Sequence, residues 1–335
     1  MNADDDLRRL LHDAVSDIQP QGALEDIRSR TDQENTMSKR WFLPTIAVAA
    51  VMAAVVGGAF WLADGDDPSN DAAALPTSSS SPEATATTSA APDTKERAVP
   101  VYYVGQTANG QKLYREFQRQ EVCPEVECLL KASVVAAVNG EPGDEDYRSL
   151  WPDGATVGKV SADDSTIVVD LASGVHDRPA GMSADDAELA VQQLVYSAQA
   201  AVGKGRLPVQ LLIDGSHTDT VLGVPSSEPL AAANADDVLA PVQIDSPTDR
   251  QTGLPRTFTV TGRAAAFEAN VAWELMEDGK VVDQGFATAQ ECCTLSPYSF
   301  EVTAPPGHYT LTVHDTDESG EGHPVNKDTK QIAVE

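Results

Sequence analysis

Hydrophobic positions along this chain change rhythm from segment to segment, and each rhythm predicts a different element. In "DDDLRRLLHDAVSDI", Leu7, Leu10, Leu11, Ala14, Val15 and Ile18 recur at helical spacing. This predicts a short amphipathic helix that Pro20 ends, within a tail covering residues 1–40. From Trp41 to Ala63 the rhythm disappears into 23 residues without a charge. At about 1.5 Å per residue that run crosses a hydrocarbon core of about 30 Å, which predicts a transmembrane helix over 41–63. Residues 64–97, rich in Ser, Thr, Pro, Ala and Asp, hold almost no large apolar side chain and predict a disordered spacer.

Patterned sequence resumes over residues 98–225. "VPVYYVG" predicts a strand over Val99–Val104, Asn109-Gly110 a turn, and "KLYREFQRQ" a second strand alternating Leu113, Arg115, Phe117 and Arg119 against Tyr114, Glu116 and Gln118. "VECLLKASVVAAVNG" predicts a helix with a left-handed cap at Asn139-Gly140, and "STIVVDLASGV" a strand. "SADDAELAVQQLVYSAQAAVG" is the clearest helix. Ser183 with Asp186 forms a capping-box pattern, Gly203 ends the run, and Ala187, Ala190, Val191, Leu194, Val195, Ala198 and Val202 make one stripe. "LPVQLLIDG" closes an α+β unit.

From 240 to 335 only short alternating strands remain: "PVQID", "RTFTVTGRA", "NVAWELMEDGKVVDQGFAT", "YSFEV", "HYTLTVHD" and "KQIAVE". They predict an all-β sandwich with Trp273 as its core aromatic. The fold class is therefore multidomain: an α+β domain, an immunoglobulin-like sandwich and one N-terminal transmembrane helix. The short junction "ANADDVLAPVQ" predicts limited motion between the two domains.

Charge sets the compartment. Lys39 and Arg40 precede the apolar run, Asp64, Asp66 and Asp67 follow it, and Trp41 and Trp61 mark its membrane-interface ends. The positive-inside rule then predicts a single-pass cell-membrane protein with its N-terminus cytoplasmic and its C-terminal domains outside. A cleaved signal peptide is the alternative, but the leader and the run are both too long for one. Against 23 Lys+Arg stand 52 Asp+Glu, a net charge of −29. That argues against nucleic-acid binding by phosphate neutralisation and disfavours docking on anionic lipid through a basic patch.

Candidate chemistry is sparse. No phosphate loop, His-Glu-x-x-His helix or nucleophile elbow occurs. "DGSHTD" supplies the residue types of a triad in Asp214, Ser216, His217 and Asp219. Adjacent Ser and His on an extended chain point opposite ways, so a turn is expected instead. His308 and His314 lie about 20 Å apart along a strand, too far to share an ion. His314, Asp315, Asp317, Glu318 and His323 are expected to form a solvated acidic loop lacking the EF-hand pattern. Asp163-Asp164, Asp185-Asp186 and Asp236-Asp237 fit turns and a helix start. No catalytic, cofactor or metal residue is expected.

Four cysteines lie beyond the apolar run, where disulfides persist: Cys123, Cys128, Cys292 and Cys293. Their spacing is unlike a zinc site. Three connectivities are open: a local Cys123–Cys128 bridge with a vicinal Cys292–Cys293 ring, or either of two double cross-links between domains. Free thiols or bonds to a partner are further alternatives.

The segment "STIVVDLASGV…AELAVQQLVYSAQAAVGKGRLPVQLLIDG" resembles the GerMN domain of sporulation and germination proteins. "IDSPTDRQTGLPRTFTVTGRAAAFEANVAWELMEDGKVVDQGFATA" with "PYSFEVTAPPGHYTLTVHD" resembles the immunoglobulin-like Gmad2 domain. The resemblance covers Val99 to Glu335 and implies a non-enzymatic binding or scaffolding role in the bacterial cell envelope. Its partners would be envelope proteins or cell-wall polymer. The alternative is a sensor relaying to a cytoplasmic partner through the Leu7–Ile18 helix.

Overall fold

A computed structural model describes residues 94–172, 174–316 and 325–335. The amphipathic segment Leu7–Ile18, the apolar run 41–63 with Lys39, Arg40, Trp41 and Trp61, and the spacer up to residue 93 lie outside the described residues. No helix among the described residues is long and apolar enough to cross a membrane.

The chain enters through a long hairpin, β1 (Lys95–Thr107) and β2 (Gly110–Val122), in register from Lys95↔Val122 to Thr107↔Gly110. β1 starts inside the segment expected to be spacer. Its first residues are polar and exposed, so backbone pairing with the far end of β2 orders them without apolar burial. β3 (Tyr147–Arg148) completes this sheet on the other edge of β1. The simple alternation expected for β2 fails, because Leu113, Tyr114 and Glu116 are all buried. The hairpin is covered on both faces: Val99, Val101 and Tyr103 join one apolar cluster, Tyr102, Val104 and Leu113 another.

Helix α1 (Val126–Asn139) follows the hairpin. Its expected left-handed cap is absent, since Gly140 takes φ −77° and ψ 155°. Glycine is required there for space: a Cβ would stand 2.7 Å from Ala136 Cα. A second sheet runs β4 (Val157–Ala162), β5 (Ile167–Leu171), β6 (Val209–Ile213) and β7 (Ser216–His217). β5 and β6 are parallel, which requires a crossover, and α2 (Ala184–Val202) supplies it. Ser183 Oγ accepts from Asp186 N at 3.0 Å, and Gly203 ends α2 at φ 68°. The expected stripe is buried from Ala187 to Ala198, whereas Val202 is only partly so. Buried Gln193 and Ser197 stitch α2 to α1 and β1 through Ala137 O and Tyr102 N.

A ribbon, β8 (Thr220–Val221) with β9 (Val224–Pro225), and a one-turn helix α3 (Ala235–Val238) lead into the sandwich. One sheet has the order β10 (Val242–Ser246), β12 (Thr257–Ala264), β15 (Ser296–Thr303). The other runs β11 (Gln251–Leu254), β17 (Lys327–Val334), β16 (Gly307–His314), β13 (Asn270–Glu277), β14 (Lys280–Thr288). Their inner faces enclose Val260, Val271, Leu275, Leu311 and Val313. Trp273 stacks on Phe300 at 5.1 Å between ring centres. Gly262 lets β12 approach Gln243 and Tyr298, where a Cβ would collide with both. The α+β half and the sandwich together make one compact unit.

Candidate functional site

A buried polar cluster lies where the two halves meet. β17 alternates Asp328, Lys330, Ile332 and Val334 on its inward face, so two charged residues occupy positions that the strand pattern reserves for the core. Lys330 Nζ donates to Asp144 Oδ2 at 2.6 Å, to Tyr147 Oη at 2.7 Å and to Asp328 Oδ1 at 2.9 Å. Tyr147 Oη donates in turn to Asp328 Oδ1 at 2.7 Å, and Ile244 N donates to Asp328 Oδ2 at 2.6 Å. All three charged groups are buried.

Burial alone would push the Lys330 ammonium down, but Asp328 and Asp144 outweigh it and raise its pKa. Burial raises the Asp328 carboxyl against the opposing pull of Lys330. Tyr147 is held well above the usual phenol range, chiefly by burial and then by Asp328 and Asp144. A buried cation held by two carboxyl groups and a phenol in one closed ring of hydrogen bonds forms a lock between β3 and β17.

Around this lock the seam is extensive. Tyr114 stacks on Tyr147 at 4.8 Å and donates to Lys327 O at 3.2 Å. Thr329 Oγ1 donates to Asp146 Oδ2 at 3.0 Å, and Arg250 pairs with Glu145. Arg115 on β2 grips Asp245 on β10 through both carboxylate oxygens, with Nε to Oδ1 at 2.9 Å. Its backbone N donates to Gln243 Oε1 at 3.1 Å. Tyr114 and Arg115 read in the sequence only as strand positions, and none of these residues stood out as a site. The one signal for them was Asp328 and Lys330 on the apolar face of a strand, where unpaired charge is rarely tolerated.

Three clefts open among the described residues. One of about 340 Å³ lies in the seam beside Tyr114, Tyr147 and Thr329. Another, about 650 Å³, runs between β2 and α1 past Gln118, Val122 and Val135. A third, about 790 Å³, has Leu189 and Leu230 within it and Asp185, Asp186, Glu188 and Asp237 around it.

The sequence-selected residues fall elsewhere. Cys123 is bonded to Cys128, with Cα atoms 5.7 Å apart, and Cys292 is bonded to Cys293. The double cross-links between domains are thereby excluded. Cys123, Glu125 and Cys128 bring possible ligand atoms within 4.8 Å of one another, but both sulfurs are engaged in the disulfide. Ser216 and His217 are exposed residues of β7 after a turn at Asp214-Gly215. Thr218 instead contacts His176 Nδ1 at 3.0 Å.

His308 lines a separate cleft with Arg250. His314 Nδ1 meets Asp315 O at 2.6 Å, while Asp315 accepts from Asn326 through both oxygens. Asp317, Glu318 and His323 lie outside the described residues. Asp163 accepts from the backbone of Ser165 and Thr166 in a turn, which holds its carboxyl below the usual range. Asp164 meets Lys204 at 2.9 Å on the surface, and Asp185 and Asp186 open α2. Asp236 and Asp237 sit in α3, where their backbone oxygens accept from Lys112.

Residues 100–219 match the family described as sporulation and spore germination, and residues 241–321 match the immunoglobulin-like domain of bacterial spore germination. These matches support a spore-germination-like domain architecture, and neither family is described by an enzymatic activity. No curated protein matches the chain.

Among solved structures, the tandem GerMN domains of the sporulation protein GerM from Bacillus subtilis are similar. They share 15% identity, the match covers 63% of this chain and 62% of that one, and the TM-score is 0.32. The first GerMN domain of that protein shares 20% identity over 40% of this chain and 97% of its own, with a TM-score of 0.29. A Clostridium perfringens protein described as a lipoprotein shares 16% identity, covering 41% of this chain and 87% of that one, with a TM-score of 0.29. At these TM-scores the overlap carries no argument about activity.

Proposed function

We propose that this protein is a non-enzymatic scaffold of the bacterial cell envelope, held outside the cytoplasm, that contacts envelope proteins or cell-wall polymer. The observation that carries the reading is the seam. A buried Lys–Asp–Tyr lock and the Arg115–Asp245 clamp join two germination-type modules into one body, which suits the fixed presentation of surfaces rather than catalysis. Both cysteine pairs are oxidised, which favours an extracytoplasmic compartment. The charge asymmetry around residues 41–63 supports membrane attachment with the same orientation.

Proximity labelling from the C-terminal end of the full chain in living cells tests this. Enrichment of envelope proteins over a matched membrane control is expected. A labelled set drawn from the cytoplasm, or release of soluble fragments when the protein is incubated with purified peptidoglycan, overturns it.

A further inference from the structure

The connection from β14 to β15 carries the second disulfide and one apolar side chain that crosses the seam. Ser296 Oγ donates to Glu291 O at 2.9 Å and accepts from Glu291 N at 3.0 Å, which closes the segment 291–296 at its base. Cys292 and Cys293 are bonded to each other inside this segment, and both are exposed. Cys293 holds φ 65°, a left-handed conformation that residues with a Cβ rarely adopt, and its N donates to Ala266 O at 3.1 Å. Two residues on, Leu295 packs against the apolar cluster of Tyr102, Val104, Leu113, Tyr196 and Leu239, in the α+β half and the junction.

The two disulfides differ in how open they are to a thiol. Cys123 and Cys128 are half-buried, and their Cα atoms lie 5.7 Å apart, inside the usual span of about 4.4–6.8 Å. Cys292 and Cys293 are neighbours in sequence, so their Cα atoms lie only 3.8 Å apart, short of that span. Exposure and an unfavourable span both make a disulfide the more easily exchanged one.

We propose that Cys292–Cys293 is a thiol–disulfide exchange site, opened in preference by a dithiol, and that its opening releases Leu295 from the α+β half. The proposal goes beyond the scaffold reading, because it concerns how the seam is loosened rather than what it presents. A thiolate of the dithiol attacks one sulfur of the pair. The Cys292–Cys293 bond breaks, a mixed disulfide forms, and the other cysteine leaves as a thiolate and takes a proton. The second thiolate of the reductant then displaces the remaining cysteine, which is protonated in turn. Two electrons pass to the protein, both cysteines end as thiols, and the dithiol ends as its own disulfide. With the ring open, the covalent constraint on Cys293 is gone, and an L-residue relaxes toward negative φ. Because Ser296 fixes the base of the segment, the change is taken up at Thr294 and Leu295.

The test titrates the full chain with dithiothreitol under native conditions, caps free thiols with N-ethylmaleimide and maps the peptides. Cys292 and Cys293 are expected to be capped together at a concentration about tenfold below that needed for Cys123 and Cys128. Hydrogen exchange is then read at Leu239 and Ala240, whose amides donate to Ala235 O and Leu113 O. Reducing the exposed pair should raise exchange there several-fold and leave Val191–Val195 in α2 unchanged. Leu295→Ala, with both disulfides intact, should show the raised exchange already and no further response to dithiothreitol. Cys292→Ser with Cys293→Ser should likewise show it without reductant. Reduction of Cys123–Cys128 first or at the same concentration would overturn the proposal. So would exchange that rises only within residues 290–296, or a Leu295→Ala protein that still responds to reductant.

Discussion

Lys330 on β17 reaches Asp144 across 186 residues of sequence and holds it at 2.6 Å inside the molecule. The pair cannot be understood alone, because Asp328 and Tyr147 close the same ring of hydrogen bonds. One cation against two carboxylates leaves the lock net negative, and its hydrogen bonds from Ile244 N and the Asp146 backbone offset part of that desolvation.

Removing the cation should therefore hurt more than removing one anion. Lys330→Met leaves Asp144 and Asp328 buried without a counter-charge and is expected to cost about 3–5 kcal/mol. Adding Asp144→Asn should recover part of that loss. Urea midpoints for the wild type, both single variants and the double variant measure the coupling, and purely additive losses would count against the lock.

The lock also sets a pH dependence. Lys330 has a folded pKa raised above its ordinary 10.5, so its contribution is complete below that pH and is lost as pH rises through the folded value. Tyr147, also raised, acts in the same direction. Asp328 is raised as well, so protonating it in acid should not weaken the seam as a depressed carboxylate would. Unfolding midpoints across pH should fall on the alkaline side, and Lys330→Met should flatten that limb without abolishing it.

Arg115 and Asp245 form the second tie between the halves. Arg115→Ala removes a bidentate, part-buried pair, and a loss of about 1–3 kcal/mol is expected. Because the tie spans the junction, hydrogen exchange should rise at Val242–Ser246 more than in α2. Uniform protection would show that Arg115 does not hold the halves together.

The two disulfides should differ in their effect on stability. Closing the short Cys123–Cys128 loop constrains the unfolded chain by about 2 kcal/mol on the loop-entropy model. A bond between sequence neighbours closes only a small ring and no length of intervening chain, so Cys292→Ser with Cys293→Ser should leave the melting midpoint nearly unchanged. Cys123→Ser with Cys128→Ser should lower it, and equal effects would contradict this account.

Helix α2 offers a local control. Ser183→Ala removes the acceptor for Asp186 N and should cost about 1 kcal/mol by thermal denaturation, without disturbing the seam.

Much of the fold is legible in the order of residues, because the responsible physics is local. The α2 stripe, its Ser183 cap and its Gly203 stop follow from a period of 3.6 and from which residues tolerate φ above zero. The succession of sandwich strands and the burial of Trp273 follow from a period of two and from apolar area. Weaker elements escape such reading. β4, "VGKVSA", has too little apolar content to announce itself and exists through its pairing with β5. β1 begins early because β2 is there to receive it.

By itself the sequence determined the two long helices and most of the sandwich strands, and that two different modules follow one another. Only tertiary structure decided that Glu116 turns inward to accept from Gly143 and Asp144, that the cysteines pair locally, and that Lys330 finds Asp144. The reason is one of range. Periodicity and capping act within a turn or two of chain, whereas burying a charge depends on partners that only the folded chain brings within 3 Å.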